Sequence, residues 1–218
     1  MKSDILPTYG VTGVRALMVD VDGVLVTGRP EDGRHWASSV DADLGLELVD
    51  LQAGFFALHW ESIITGKYGL TETLDVVLPK IAPHLTSRDL IDYWFAKDAR
   101  LNEALLSQLD RLRGSGVRVF LASNQEHLRA RYLIETLGLG ERCDGIFYSA
   151  ALGYRKPDRR FFKKAAALAG ASPGEIVLLD DLIENVLAAH ESGWRAVHWQ
   201  PDSVLFRELE KLQASMFQ

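Results

Sequence analysis

An α/β fold built on a parallel sheet is what this sequence predicts, and three observations carry it. Short apolar runs alternate with helical patterns through the second half of the chain. The runs are nearly continuous in apolar residues, as strands covered on both faces are. Each run also ends in polar residues, the place where an open parallel sheet binds its ligands.

The first run, Val14–Val19, leads into Asp20, and the second, Val117–Ala122, leads into Ser123. Gly145–Tyr148 is the third, Ile176–Leu179 leads into Asp180, and Ala196–Trp199 closes the series. Helices are predicted between them over Asn102–Arg113, Glu126–Leu137, Arg159–Leu168 and Leu182–Glu191. Gly114, Gly138, Gly170 and Gly193 stand at or near their ends, where a left-handed residue closes a helix.

One interval breaks this rhythm. About a hundred residues separate the first two strands, where a strand–helix–strand unit takes roughly 30. The surplus carries its own helix starts: Thr86-Ser87-Arg88-Asp89 reads as a capping box, and Thr71 as the cap of a helix running to Lys80. The expected organisation is a core of residues 1–27 and 100–218, with a helical insertion over 28–99.

Composition narrows the class. The 218 residues are 47% hydrophobic and 25% charged, ordinary for a globular enzyme and against disorder. The net charge of −6 comes with scattered basic residues, so nucleic acid is not an expected partner. The single cysteine, Cys143, excludes an internal disulfide and a cysteine-based zinc site. Residues Met1 to Gly13 lack the apolar run of a signal peptide, and no stretch approaches the roughly 20 apolar residues of a membrane span. A cytoplasmic protein, monomeric or homodimeric, is expected.

The polar residues at the strand ends carry the chemistry. Each has an ordinary reading in isolation. Asp22-Gly23 suits a hairpin turn. Ser123 or Asn124 suits a helix cap, as does Asp181 with Glu184 three residues on. Lys156 before Pro157 suits a solvated loop. Together they say more: Asp20, Asp22, Asp180 and Asp181 would converge from two strand ends at one edge of the sheet. Like charges that close must be protonated or neutralised by a cation. A hard ion with oxygen ligands fits, and Mg²⁺ leaves room for a phosphate oxygen. A carboxylate nucleophile, a hydroxyl and a lysine beside it make a phosphoryl-transfer site.

At these residues the sequence resembles the haloacid dehalogenase superfamily, with its motifs in order. They are Asp20-Val21-Asp22-Gly23-Val24-Leu25, then Ser123 with Asn124, then Arg155-Lys156-Pro157, then Asp180-Asp181 with Asn185 four residues on. The form of these motifs is similar to a subgroup of bacterial sugar-phosphate phosphatases and epoxide hydrolase amino-terminal domains. The resemblance implies a Rossmann-like core with an α-helical cap. It implies Asp20 as nucleophile, Asp22 as acid and base, and Ser123, Asn124 and Lys156 as the phosphoryl binders. It also implies Mg²⁺ held by Asp20, the Asp22 carbonyl and Asp181, with Asp180 helping and Asn185 orienting. The expected activity is hydrolysis of small phosphorylated metabolites, sugar phosphates favoured. Dehalogenases lack the second acid, so Asp22 argues against that chemistry. A phosphomutase and a non-catalytic binding module stay as alternatives. Phe55, Phe56, His59 and Trp60 are read as core of the insertion more than pocket lining, His127 as an exposed first-turn residue, and Cys143 as a small buried side chain.

Overall fold

In the computed structural model, which describes residues 13–214, five strands form one sheet. They are β1 (Ala16–Val19), β2 (Arg118–Ser123), β3 (Ile146–Tyr148), β4 (Ile176–Asp180) and β5 (Arg195–His198). The order is β3-β2-β1-β4-β5, and every neighbouring pair is parallel. The α/β fold expected from the sequence is the one observed, each strand falling within two residues of its predicted ends. The reading of Met1 to Thr12 lies outside the described residues. Among the described residues no helix is long and apolar enough to cross a membrane.

Strand periodicity builds a core on each face of the sheet. Leu17 and Val19 face one side and join Leu105, Leu109 and Leu205, brought by helices Glu103–Gly114 and Leu205–Ala214. Ala16 and Met18 face the other and join Phe161, Phe162 and Val186, brought by helices Arg159–Ala169 and Ile183–Glu191. Val19 pairs with Leu121 on one flank and Leu179 on the other, so Asp20, Ser123 and Asp180 finish at the same edge. The chain departs from β1 to opposite flanks here, which makes this edge the topological switch point.

Local details differ from the sequence reading for identifiable reasons. Gly138, Gly170 and Gly193 do take positive φ, but Gly114 is the last helical residue and Gly116 makes the left-handed turn. The helix expected from Glu126 to Leu137 runs as His127–Arg131 and then widens into a π turn over Tyr132–Thr136. Its cap is the Glu126 carboxylate, which accepts from the amides of Leu128 and Arg129; neither Ser123 nor Asn124 caps it. Thr71 does not cap its helix either, because Leu70–Ile81 starts one residue earlier, after an extended Gly69.

The residues between β1 and β2 form helices Val40–Leu44, Leu48–Leu51, Ala57–Ile64, Leu70–Ile81 and Ser87–Lys97. They surround an apolar cluster of their own that includes Trp36, Leu51, Phe55, Leu74 and Trp94. Phe55 is fully buried there, and Phe56 and Trp60 meet edge to face at 5.4 Å, as the core reading of this aromatic group expects. The chain reaches and leaves these helices through two stretches lying side by side. Thr27 N donates to Arg100 O (2.9 Å), Arg100 N to Gly28 O (3.0 Å) and Asn102 N to Leu25 O (2.8 Å). A second tie is Arg129, whose buried guanidinium lies 3.3 Å from the Asp98 carboxylate and donates to Phe95 O at 3.3 Å.

The capping box forms as the sequence predicts: Asp89 N donates to Thr86 Oγ1 (3.2 Å) and Thr86 N to Asp89 Oδ2 (2.9 Å). Thr86→Ala is expected to cost about 1 kcal/mol, lowering the melting temperature by roughly 2–4 °C in a chain of this size. A thermal melt followed by circular dichroism checks this.

Candidate active site

The site begins with a buried cation. Lys156 arrives on the loop before helix Arg159–Ala169, and its side chain is inaccessible to solvent. Its ammonium lies 3.1 Å from Asp20 Oδ1 and 2.5 Å from Asp180 Oδ2. Burial pulls the ammonium toward neutrality, but the Asp20 and Asp180 carboxylates outweigh it and raise its pKa. Asn124 fixes the loop from the end of β2: Lys156 N donates to its Oδ1 (2.8 Å) and its Nδ2 donates to Lys156 O (3.0 Å).

Asp180 is fully engaged. While Oδ2 meets Lys156, Oδ1 accepts from Asn185 Nδ2 (2.9 Å) and from Leu182 N (3.0 Å). Asp20 is freer, with Oδ1 accepting from Val21 N at 2.7 Å. Its pKa is raised to about 7, chiefly by burial, with Lys156 opposing and Asp180 and Asp22 adding to the rise. Asp181, half-buried, is also raised by burial and by Asp180. Negative charge exceeds what Lys156 alone can balance.

That excess defines a place for a cation. Asp20, Asp180 and Asp181 each offer an oxygen within 4.8 Å of the others. Asn185 Oδ1 is buried without a hydrogen-bond partner, so an oxygen acceptor is left over beside the acids. Gly23 makes room: a Cβ there would lie 2.2 Å from Asp181 Oδ2, and φ of +80° suits glycine as well. An all-oxygen donor set of this kind fits a hard divalent ion. A cavity of about 250 Å³ opens over it, lined by Asp20, Gly23, Ser123, Asn124, Asp181 and Asn185.

Asp22 lines the same cavity, yet its carboxylate stands outside that oxygen cluster. Gln125 holds it, donating from Nε2 to Asp22 Oδ2 (2.7 Å) and also toward Ser123 Oγ (3.3 Å). The Asp22 side chain is open to the cleft, with Asp98 and Arg129 among its charged neighbours. Desolvation pushes its pKa up to about 6, Asp98 adds to the rise, and Arg129 and Gln125 oppose it. The turn that carries it is no strand hairpin: Leu25 N and Val26 N both donate to Val21 O (2.8 Å each), and the chain then leaves the sheet.

The structure therefore brings together Asp20, Asp22, Ser123, Asn124, Lys156, Asp180 and Asp181. Asp181 has no part in capping the next helix, whose first residues lack a side-chain cap. His127 is exposed, with Nδ1 3.2 Å from Tyr148 Oη, and Cys143 is buried with its thiol pKa raised by burial. Sequence reasoning missed Gln125, Asp98 and Arg129. Gln125 had a signal, since residue 125 continues the side of the strand that Ser123 occupies. Asp98 and Arg129 had none, being a contact between distant segments.

A sheet switch point crowded with carboxylates around one buried lysine defines an α/β enzyme that handles anions with a divalent ion. A model of the haloacid dehalogenase-like hydrolases matches residues 14–193, and the chain belongs to that family. Among curated proteins it is similar to the sesquiterpene phosphatase astK of Aspergillus oryzae, 29% identical over 206 residues that cover 92% of this chain and 97% of that one. A solved family enzyme of Bacteroides thetaiotaomicron, in complex with magnesium and inorganic phosphate, superposes with a TM-score of 0.73 at 18% identity, covering 88% of this chain and 96% of that one. The L-2-haloacid dehalogenase of Xanthobacter autotrophicus gives 0.62 at 19% identity over 91% and 83%. The two structures share the fold.

Lys156→Met is expected to destabilise the chain by about 3 kcal/mol or more, because it leaves Asp180 buried without its cation. Asp180→Asn added to that variant should recover part of the loss, since the pair is coupled. Urea unfolding of the four chains of this cycle measures both effects.

Proposed function

We propose that this chain is a magnesium-dependent phosphatase of small phosphate monoesters, working through an aspartyl-phosphate on Asp20. The observation that supports it most is the placement of Asp20 beside Lys156, at 3.1 Å, facing a cavity that Asp22 also lines. The resemblance to a named phosphatase along nearly the whole chain points the same way. In this reading residues 28–99 are the cap over a core of 1–27 and 100–218.

The Asp20 carboxylate attacks phosphorus in line, opposite the departing alkoxide, and forms the acyl phosphate. Asp22, held in place by Gln125, gives its proton to that alkoxide and then takes one from the water that cleaves the intermediate. Ser123 Oγ and the amide of Asn124 hold phosphoryl oxygens, and Lys156 balances their charge. Mg²⁺ would be held by the Asp20 carboxylate, the Asp22 backbone carbonyl and Asp181. When bound it would offset the clustered acids, favour ionised Asp20 and draw a phosphoryl oxygen. Asp180, which fixes Lys156 and Asn185, would help hold the ion directly or through a water.

Asp22 separates this chemistry from dehalogenation, where a halide leaves without a proton. The family resemblance drawn from the motifs favours sugar phosphates as substrates. The activity named for the Aspergillus relative favours a second reading, a terpenoid alcohol phosphate.

Mg²⁺ should bind with millimolar or tighter affinity by calorimetry, and EDTA should abolish turnover of p-nitrophenyl phosphate. Absence of turnover with Mg²⁺ present would sink the proposal. Asp20→Asn is expected to remove both activity and phosphoenzyme while the fold survives. Asp22→Asn should lower turnover of an alkyl phosphate by ~10²–10⁴ and cost an aryl phosphate less, because the aryl oxide needs no proton to leave. Acid quench and mass spectrometry of the peptide containing Asp20 locates the adduct.

A further inference from the structure

A second cavity, of about 530 Å³, meets the first at Asp22 and Gly23, which line both. The residue that would protonate the leaving alcohol thus stands between a phosphoryl chamber and a larger one. The walls of the larger chamber are Val26, Trp36, Trp94, Trp199 and Pro201, with His35 at one side. At about 30 Å³ per water-sized group, it has room for a group of well over ten heavy atoms.

Most of the polar side chains on its walls already have partners. Asn102 Oδ1 accepts from Leu105 N (3.1 Å) and its Nδ2 donates to Val24 O (3.2 Å). Asp98 is paired with Arg129, Asp22 with Gln125, and His35 Nδ1 accepts from Ala37 N (3.2 Å). Thr27 Oγ1 donates toward Arg100 O (3.4 Å). What remains among these groups is the far ring nitrogen of His35, since the buried indole N–H of Trp94 is turned toward the Asp98 carboxylate. A sugar would bring several hydroxyls into this chamber, and hydroxyls buried without partners are costly. Nor do Trp36 and Trp94 offer a platform for a sugar ring, since they stack on each other at 4.8 Å and 19°.

We propose that this chamber receives the alcohol portion of the substrate and that the alcohol is a bulky apolar group, alkyl or aryl. The inference rests on the phosphatase reading of Asp20 and Asp22. It favours an apolar alcohol over a sugar on the strength of the chamber walls alone.

A homologous series of n-alkyl phosphates, from ethyl to decyl, tests it, because leaving-group chemistry hardly changes along the series. The expected result is kcat/KM rising about two- to fourfold per methylene, the upper figure being full burial, until the chamber is filled. Glucose 6-phosphate should fall below hexyl phosphate. Thr27→Phe, which narrows the chamber from a half-exposed position, should lower the decyl-to-ethyl ratio of kcat/KM by tenfold or more. A flat series, or a sugar phosphate turned over as well as the long alkyl esters, overturns the inference while leaving the phosphatase reading intact. A rising series whose ratio Thr27→Phe does not change places the apolar group elsewhere and overturns it too. If no ester is turned over, p-nitrophenyl phosphate included, the phosphatase reading fails and takes this inference with it.

Discussion

The ammonium of Lys156, shut away from water between Asp20 and Asp180, is the interaction on which the rest of the site depends. A charge in that position is tolerable only with its partners in place, and each partner is fixed by a different part of the fold. Strand β1 ends at Asp20, β4 ends with Asp180, and Asn124 beyond β2 clamps the lysine's own backbone. Three strands in parallel register are thereby tied to one loop. Moving any of them by a residue would separate the charges, so the register of the sheet and the geometry of the site are the same constraint.

The same arrangement explains why two neighbouring acids play different parts. Asp180 has both oxygens occupied, one by a charge and the other by two donors, so it is a fixed strut. Asp181, next in the chain, faces the opening across from Gly23 and keeps its carboxylate available. Asp20 and Asp22 divide likewise. One is aimed at the lysine, the other held by Gln125 where the two chambers meet. Alternation along the backbone separates Asp180 from Asp181, whereas Asp20 and Asp22 part because the chain turns out of the strand around Val21.

The strands and their terminal acids were legible because they are local: an apolar run ends, and the next residue is charged. Lys156 was legible as part of a short motif. The motif resemblance marks Asn124 as a phosphoryl binder, while its side chain braces the lysine loop, a contact across 32 positions. The chamber walls were not legible at all. Trp36, Trp94 and Trp199 come from three distant segments, and nothing near any of them marks it as facing Asp22 instead of filling a core. The π turn over Tyr132–Thr136 and the four-residue helices Leu139–Arg142 and Ser149–Leu152 were missed for a different reason. Elements that short show no period to read.

The paired stretches beneath the inserted helices carry a topological consequence. Gly28 and Arg100 are one hydrogen bond apart, 3.0 Å from carbonyl to amide, although 72 positions separate them. To the sheet, everything between them is a single long loop with its two feet touching. The entropy of closing such a loop grows only slowly with its length, so the core is nearly indifferent to how much chain hangs there. A short turn could join the feet without bridging any gap, and a different bundle could be grafted onto them. What would resist the exchange is Arg129, whose guanidinium would lose Asp98 and the carbonyl of Phe95 and be left buried without them. The feet therefore set where these helices attach, and side chains hold them there: Arg129 on Asp98, Arg155 on Glu61 and the ring of Tyr132 on that of Phe95.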